Sequence, residues 1–322
     1  MFLNLLAVLG GLGLLVWSSD RFVIGAAATA RRFRISPLII GMVVVGFGTS
    51  APEMLVSGTA AVTGNPTLGV GNALGSNIAN IGLVIGATAL ISPLMVKGSI
   101  VKREFMVLMA VTATAMALVL PDAHLSREDG LVLSVCLLLA LMALAWLSEA
   151  PHSAEDEADY DEHADQNPNP DKAVASLLLG LIGLLLASRI LVWGAVGIAQ
   201  AAGISDLVIG LTIVAVGTSL PELAAGIASA LKREHELAVG NIIGSNIFNT
   251  AAVMGIPALI APTAVGAEVV QRDLPIVAGL TLLLLLFSLG RNGPGVIARF
   301  KGGLLLACFA GYQLLLFAQT SG

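Results

Sequence analysis

The chain has 322 residues, 57% hydrophobic and only 11% charged, with a net charge of −5 and a mean hydropathy of +0.92. Soluble domains carry about 25% charged residues, so a water-soluble globule is excluded: there is too little charge to cover its surface. The negative balance names no partner, because nine of the 21 acidic side chains lie between Glu149 and Asp171; the remainder has no basic cluster suited to nucleic acid.

A helix needs about 20 mainly apolar residues to cross a bilayer. By that measure, spans fall near 2–30, 37–63, 68–92, 101–120, 129–148, 173–200, 206–231, 237–261, 274–290 and 302–319. The first has no basic residue before its apolar run and no cleavage pattern after it, so it reads as a retained helix and not a signal peptide. Cys136 and Cys308 lie in apolar runs and read as small core residues. His124, His152, His163 and His235 fall in loops and read as solvated side chains.

Lys and Arg collect in cytoplasmic loops. With the N-terminus outside, thirteen of them fall in inside loops, among them Arg31, Arg32, Lys102, Lys232 and Lys301, against Arg127 and Arg272 outside. Both termini are therefore expected on the periplasmic side of an inner membrane. The expected organisation is a first five-helix half over 1–148, an acidic cytoplasmic linker over 149–172 and a second half over 173–322. The linker is rich in Asp, Glu, Asn and Pro with little that packs, and reads as disordered.

Shifting the sequence by 169 residues superposes 35–86 on 204–255 with 23 of 52 positions identical and no gap, where chance gives on the order of four. The offset crosses five spans, an odd number, so the second copy enters the membrane from the opposite side. Inverted repeats of this kind build substrate sites near the midplane.

The matched residues are mostly polar or helix-breaking. Gly48-Thr49-Ser50-Ala51-Pro52-Glu53 is answered by Gly217-Thr218-Ser219-Leu220-Pro221-Glu222. Each proline frees the carbonyl four residues earlier, at Gly48 and Gly217, and the glycines ease unwinding there. A charge at the bilayer centre costs about 2.5–3.5 kcal/mol on insertion scales. Glu53 and Glu222 alone among the acidic residues sit clearly at mid-span, with no Lys, Arg or His in either motif. A shared cation accounts for that pairing better than two protonated acids. The following helix of each copy carries Asn72, Ser76, Asn77 and Asn80, answered by Asn241, Ser245, Asn246 and Asn249. Asn72, Ser76 and Asn80 recur every fourth residue and form one stripe, a pattern open to both ion binding and polar contacts between helices. Every candidate donor is oxygen, the set preferred by Ca²⁺ and Na⁺ over zinc or copper.

These doubled motifs resemble the α-repeats of the cation/Ca²⁺ exchanger superfamily, above all its prokaryotic Na⁺/Ca²⁺ exchangers, a branch related to K⁺-dependent exchangers. The resemblance covers nearly the whole chain. It implies an all-α polytopic membrane protein of ten transmembrane helices in two inverted five-helix repeats, working as a secondary antiporter by alternating access. On the same resemblance, Glu53 and Glu222 hold Ca²⁺ with the backbone oxygens of Thr49 and Thr218. Na⁺ is placed near Ser50, Ser76, Ser219, Ser245, Asn80 and Asn249, with the backbone of Ala215. The first and sixth helices, carrying Gly25 and Gly194, slide across the core. Many relatives carry Asp where this chain has Asn249, which leaves stoichiometry and the choice among Na⁺, K⁺ and H⁺ open.

The ions are cargo. No resident cofactor, nucleic acid or obligate protein partner is expected, and the lipid bilayer is the surrounding medium. A Ca²⁺/H⁺ or K⁺-coupled antiporter is the nearest alternative. An enzyme acting on lipid phosphates is disfavoured, because no Arg or Lys stands beside the motifs to hold the anion.

Overall fold

The computed structural model describes residues 1–97, 100–148, 172–203, 215–290 and 293–321. These form ten helices, which we number in chain order: α1 (Phe2–Phe33), α2 (Pro37–Val62), α3 (Pro66–Ile91), α4 (Ile100–Val119), α5 (Arg127–Ser148), α6 (Ala173–Ala201), α7 (Ala215–Thr218 and Leu220–Leu231), α8 (His235–Ile260), α9 (Val269–Ser288) and α10 (Arg299–Ser321). Each coincides with one predicted span. The linker over 149–171 and the N-terminal part of the seventh span, 204–214, lie outside the described residues.

Local chemistry sets the boundaries. Arg34 turns left-handed at φ 51° and ends α1, its N–H bonding back to the last turn. Two residues later Ser36 caps α2 through the Leu38 N–H, with Pro37 at the first helical position, where its missing donor costs nothing. Gly64, at φ 87°, makes the turn before Pro66 opens α3 in the same way.

α1 and α6 lie so close that a side chain at several of their glycines would meet the other helix. A Cβ at Gly25 would fall on the Leu177 backbone and one at Gly180 on that of Phe22; Gly11 meets Leu191 and Gly194 meets Asn4. As numbers rise on one helix they fall on the other, so the pair is antiparallel. The 169-residue offset converts the Gly11–Leu191 contact into Gly180–Phe22. The inverted repeat is thus written into the packing as well as the sequence.

Two small antiparallel pairings clasp the ends. Leu94–Val96 pairs with Gly295–Ile297, and His124–Leu125 with Thr263–Ala264. Each joins two loops that ten alternating crossings place on one face. His124 therefore lies in a short strand and His235 opens α8, not in open loops as the sequence suggested. Of the two cysteines, Cys136 is half-buried but Cys308 is exposed on α10, so it is not a core residue.

Three ion pairs gather where α1 meets the α7–α8 turn: Lys232–Asp20 at 2.5 Å and Arg31–Glu234 at 3.5 Å, with Lys97–Glu236 at 3.6 Å beside them. The 169-residue offset maps these six positions onto Thr63, Arg189, Gln200, Asn65, Gly266 and Thr67, which cannot reproduce the pairs. Pairs this exposed contribute up to about 1 kcal/mol each.

The glycine contacts give a direct test of the packing. Gly25→Val should cost on the order of 1–3 kcal/mol by overpacking and lower the thermal unfolding midpoint of the detergent-solubilised protein. Gly13→Val, where a Cβ meets nothing within 4 Å, should leave it unchanged. Equal midpoints for the two variants would contradict the α1–α6 geometry.

Candidate ion site

Glu53 and Glu222 sit in the interior, 5% and 2% exposed, on α2 and α7. Glu53 is the charged group acting on Glu222, and Thr49 interacts with Glu222 as well. One oxygen of each carboxylate, Oε2, is buried with no hydrogen-bond partner. Taking a carboxylate out of water costs several kcal/mol per ion, a cost that either a bound cation or a proton relieves.

The other predicted residues fall around this pair in an unequal way. Ser50, Ser219, Ser76, Ser245, Asn80 and Asn249 are all buried. The Ser50 hydroxyl and the Asn249 side-chain carbonyl are two further buried acceptors without a donor. Thr49 is 1% exposed; its hydroxyl donates to Val45 O at 3.1 Å and lies 3.2 Å from the Ser245 hydroxyl. Thr218, its counterpart, is exposed. Ala215 is the first residue of the short N-terminal piece of α7.

Backbone irregularities mark the same places. Asn80 and Asn249 each open a π-helical turn, Asn80–Ile85 and Asn249–Val253, and such turns are frequent at functional sites. A third occupies Ile40–Val45 in α2, and a fourth, Val269–Asp273, opens α9 away from the predicted residues. The two proline motifs differ. In α7 the helix breaks at Ser219, just before Pro221. In α2 the α-helix runs unbroken from Gly46 to Val62 with Pro52 inside it. The unwinding expected at Gly48 therefore does not occur; the irregular turn of α2 lies before it, at Ile40–Val45.

The Gly217 carbonyl freed by Pro221 accepts a 2.7 Å hydrogen bond from the Ser188 hydroxyl of α6. Ser19, the equivalent residue on α1, donates instead to Val16 O of its own helix at 2.9 Å. Ser188 was not among the predicted residues, although its match to Ser19 at the repeat offset was a signal available in the sequence. Ser57, also unpredicted, accepts from Asn72 Nδ2 at 3.3 Å, while the same amide reaches the Glu53 carbonyl at 3.4 Å.

Across the centre, α3 and α8 exchange amide contacts. Asn80 Nδ2 donates to Asn246 Oδ1 at 3.0 Å, and Asn77 Nδ2 to Thr250 Oγ1 at 2.7 Å. On α8, Gly240 and Gly244 press against the backbones of Leu38 and Met42 of α2, which brings the second repeat's polar helix up to Thr49. Buried hydroxyls and amides on these helices, together with two buried carboxyl groups, are all oxygen donors of the kind a hard cation takes.

The model of the sodium/calcium exchanger protein family matches this chain twice, over 3–147 and 172–318. The chain belongs to that family. It is a multi-pass membrane protein and an antiporter of the cation/Ca²⁺ exchanger class, not an enzyme. It is 48% identical to CaxA of Alkalimonas amylolytica, over 99% of this chain and 100% of that one. It is 40% identical to inner membrane protein YrbG of Escherichia coli, over 95% and 96%. A structure of the sodium-calcium exchanger NCX_Mj, soaked with Na⁺ and Sr²⁺, superposes with a TM-score of 0.82 at 34% identity, covering 96% of this chain and 97% of that one.

Removing the Ser188 hydroxyl leaves a buried carbonyl unsatisfied, at about 1–3 kcal/mol. Ser188→Ala should therefore raise amide hydrogen exchange around the α7 break, whereas Ser19→Ala, which loses only an intrahelical bond, should change exchange in α2 much less. Equal effects in both helices would contradict the asymmetry.

Proposed function

We propose that this antiporter moves Ca²⁺ against Na⁺, with both ions bound mid-membrane between the two repeats. The observation that carries the reading is the buried Glu53–Glu222 pair, each with a donorless oxygen. Two carboxylates neutralise one Ca²⁺ or two Na⁺, so one cage serves either load and the two compete for it. The Ca²⁺ ligands are Glu53 and Glu222 with the backbone oxygens of Thr49 and Thr218. Na⁺ takes the oxygens of Ser50, Ser76, Ser219, Ser245, Asn80 and Asn249, with the backbone of Ala215. NCX_Mj, named a sodium-calcium exchanger, supports the choice of both ions.

The chain functions as two halves, 1–148 and 173–322, joined by the linker 149–172. Both termini face the periplasm and the linker lies in the cytoplasm, as the distribution of Lys and Arg requires. The inner membrane is the site of action, supported by the likeness to YrbG. The α1–α6 pair is the sliding element: it packs through glycines on one continuous seam, and it bonds to the broken α7 but not to the unbroken α2 through its two equivalent serines.

Glu53→Gln and Glu222→Gln should each reduce ⁴⁵Ca²⁺ uptake into proteoliposomes under an outward Na⁺ gradient by more than about a hundredfold, since losing charge compensation for a desolvated cation costs roughly 3–5 kcal/mol. The variants should remain folded on size-exclusion chromatography. Wild-type uptake in both would end the proposal. Uptake in the unaltered protein that follows a pH or K⁺ gradient and ignores Na⁺ would keep Ca²⁺ as cargo and replace the coupling ion.

A further inference from the structure

The two repeats are covered unequally at equivalent positions. Ala225 of α7 and Leu237 of α8 are 2% and 1% exposed and share one buried apolar cluster with Phe22, Val23, Ala26 and Ala30 of α1. The 169-residue offset carries them onto Val56 of α2 and Leu68 of α3, which are 48% and 53% exposed. Helix α1 thus lies along the Leu220–Leu231 part of α7, whereas α6 touches the Gly46–Val62 part of α2 far less. The covered end carries two ion pairs from α1 to the α7–α8 turn, Asp20–Lys232 and Arg31–Glu234. At the uncovered end the same positions hold Arg189 with Thr63 and Gln200 with Asn65. Neither couple can form an ion pair.

From this asymmetry we infer that Asp20–Lys232 and Arg31–Glu234 form a latch, which holds α1 over Ala225 and Leu237 and keeps shut the face that bears the α7–α8 turn. The inference rests on the sliding role proposed above for α1 and α6. Exchanging the two conformations between inverted halves lifts α1 from Ala225 and Leu237 and brings α6 onto Val56 and Leu68. Both ion pairs then open, and no pair forms at the other end to replace them. Each pair is partly exposed, so each multiplies the population of the shut state by about fivefold at most and is weakened by salt. A latch of that strength biases the exchange of states without arresting it.

The test is alkylation of single introduced cysteines in lipid nanodiscs, where a water-soluble maleimide reaches both faces, with Cys136 and Cys308 replaced by serine. With the ion pairs intact, Val56→Cys should react fast and Ala225→Cys slowly; a protected Val56→Cys would contradict the inference at its start. Arg31→Gln together with Lys232→Gln should speed the reaction of Ala225→Cys about fivefold. Exchanging the charges of one pair, Asp20→Lys with Lys232→Asp, should keep the slow rate. Ala115→Cys on α4, where Ala115 is 1% exposed, should stay unreactive in every background, because a latch opens one face whereas a loosened fold opens both. Should the glutamine variant not be recovered in folded form, choline chloride at high concentration reads the same quantity with the ion pairs left in place. There Ala225→Cys should speed up relative to Val56→Cys. An Ala225→Cys rate unmoved by the glutamines or by salt, a fast rate in the charge-exchanged variant, or a rise shared by Ala115→Cys would each overturn the latch. Uptake by the Glu53 and Glu222 variants is read separately: wild-type uptake there ends the ion reading and leaves the labelling to decide the latch.

Discussion

Two carboxyl groups buried within electrostatic reach of each other have lost their water. Such a pair keeps its charge only where a cation joins it, and otherwise takes up protons; among the described residues no ion pair involves Glu53 or Glu222. The surrounding architecture follows from this constraint. Prolines, glycines and π turns free backbone oxygens at membrane depth, where an unpaired carbonyl is tolerated only if something satisfies it. Serines and asparagines fill the same layer with neutral acceptors. The layer thus combines two acidic groups with neutral oxygen acceptors, the donor set that the proposed cation would complete.

The two halves are equivalent in sequence but not in conformation. α2 passes Pro52 as regular helix while α7 breaks beside Pro221. Thr49 is buried while Thr218 is exposed. Ser188 reaches across to α7 while Ser19 bonds within α1. For an inverted repeat this is the expected form of a single access state, because exchanging the two conformations between halves reverses the side that opens. The ion pairs around Asp20, Arg31 and Lys97 have no mirror image in the other half.

Much of this was legible in the sequence, for physical reasons. A bilayer demands about 20 apolar residues per crossing, so all ten helices could be counted. Repeated polar residues inside apolar spans are expensive enough to stand out, and the pairing of Glu53 with Glu222 followed from the 169-residue offset alone. What was not legible depends on contacts between elements. Ser188 is one small polar residue in an apolar helix, and its role exists only because α6 passes the freed carbonyl of Gly217. The contact of Thr250 with Asn77 exists only because α3 crosses α8. The unbroken course of α2 was missed because the proline motif is the same in both copies, and a shared motif carries no information about which copy bends.

The most direct measurement is the location of a divalent ion in crystals of the protein grown with Ca²⁺ or soaked in Sr²⁺, read from anomalous scattering. The account predicts one strong peak between the two carboxylates, within about 2.3–2.6 Å of oxygens from both Glu53 and Glu222, and its loss at high Na⁺. Density elsewhere in the membrane layer, or glutamates that remain apart with no ion between them, would contradict it.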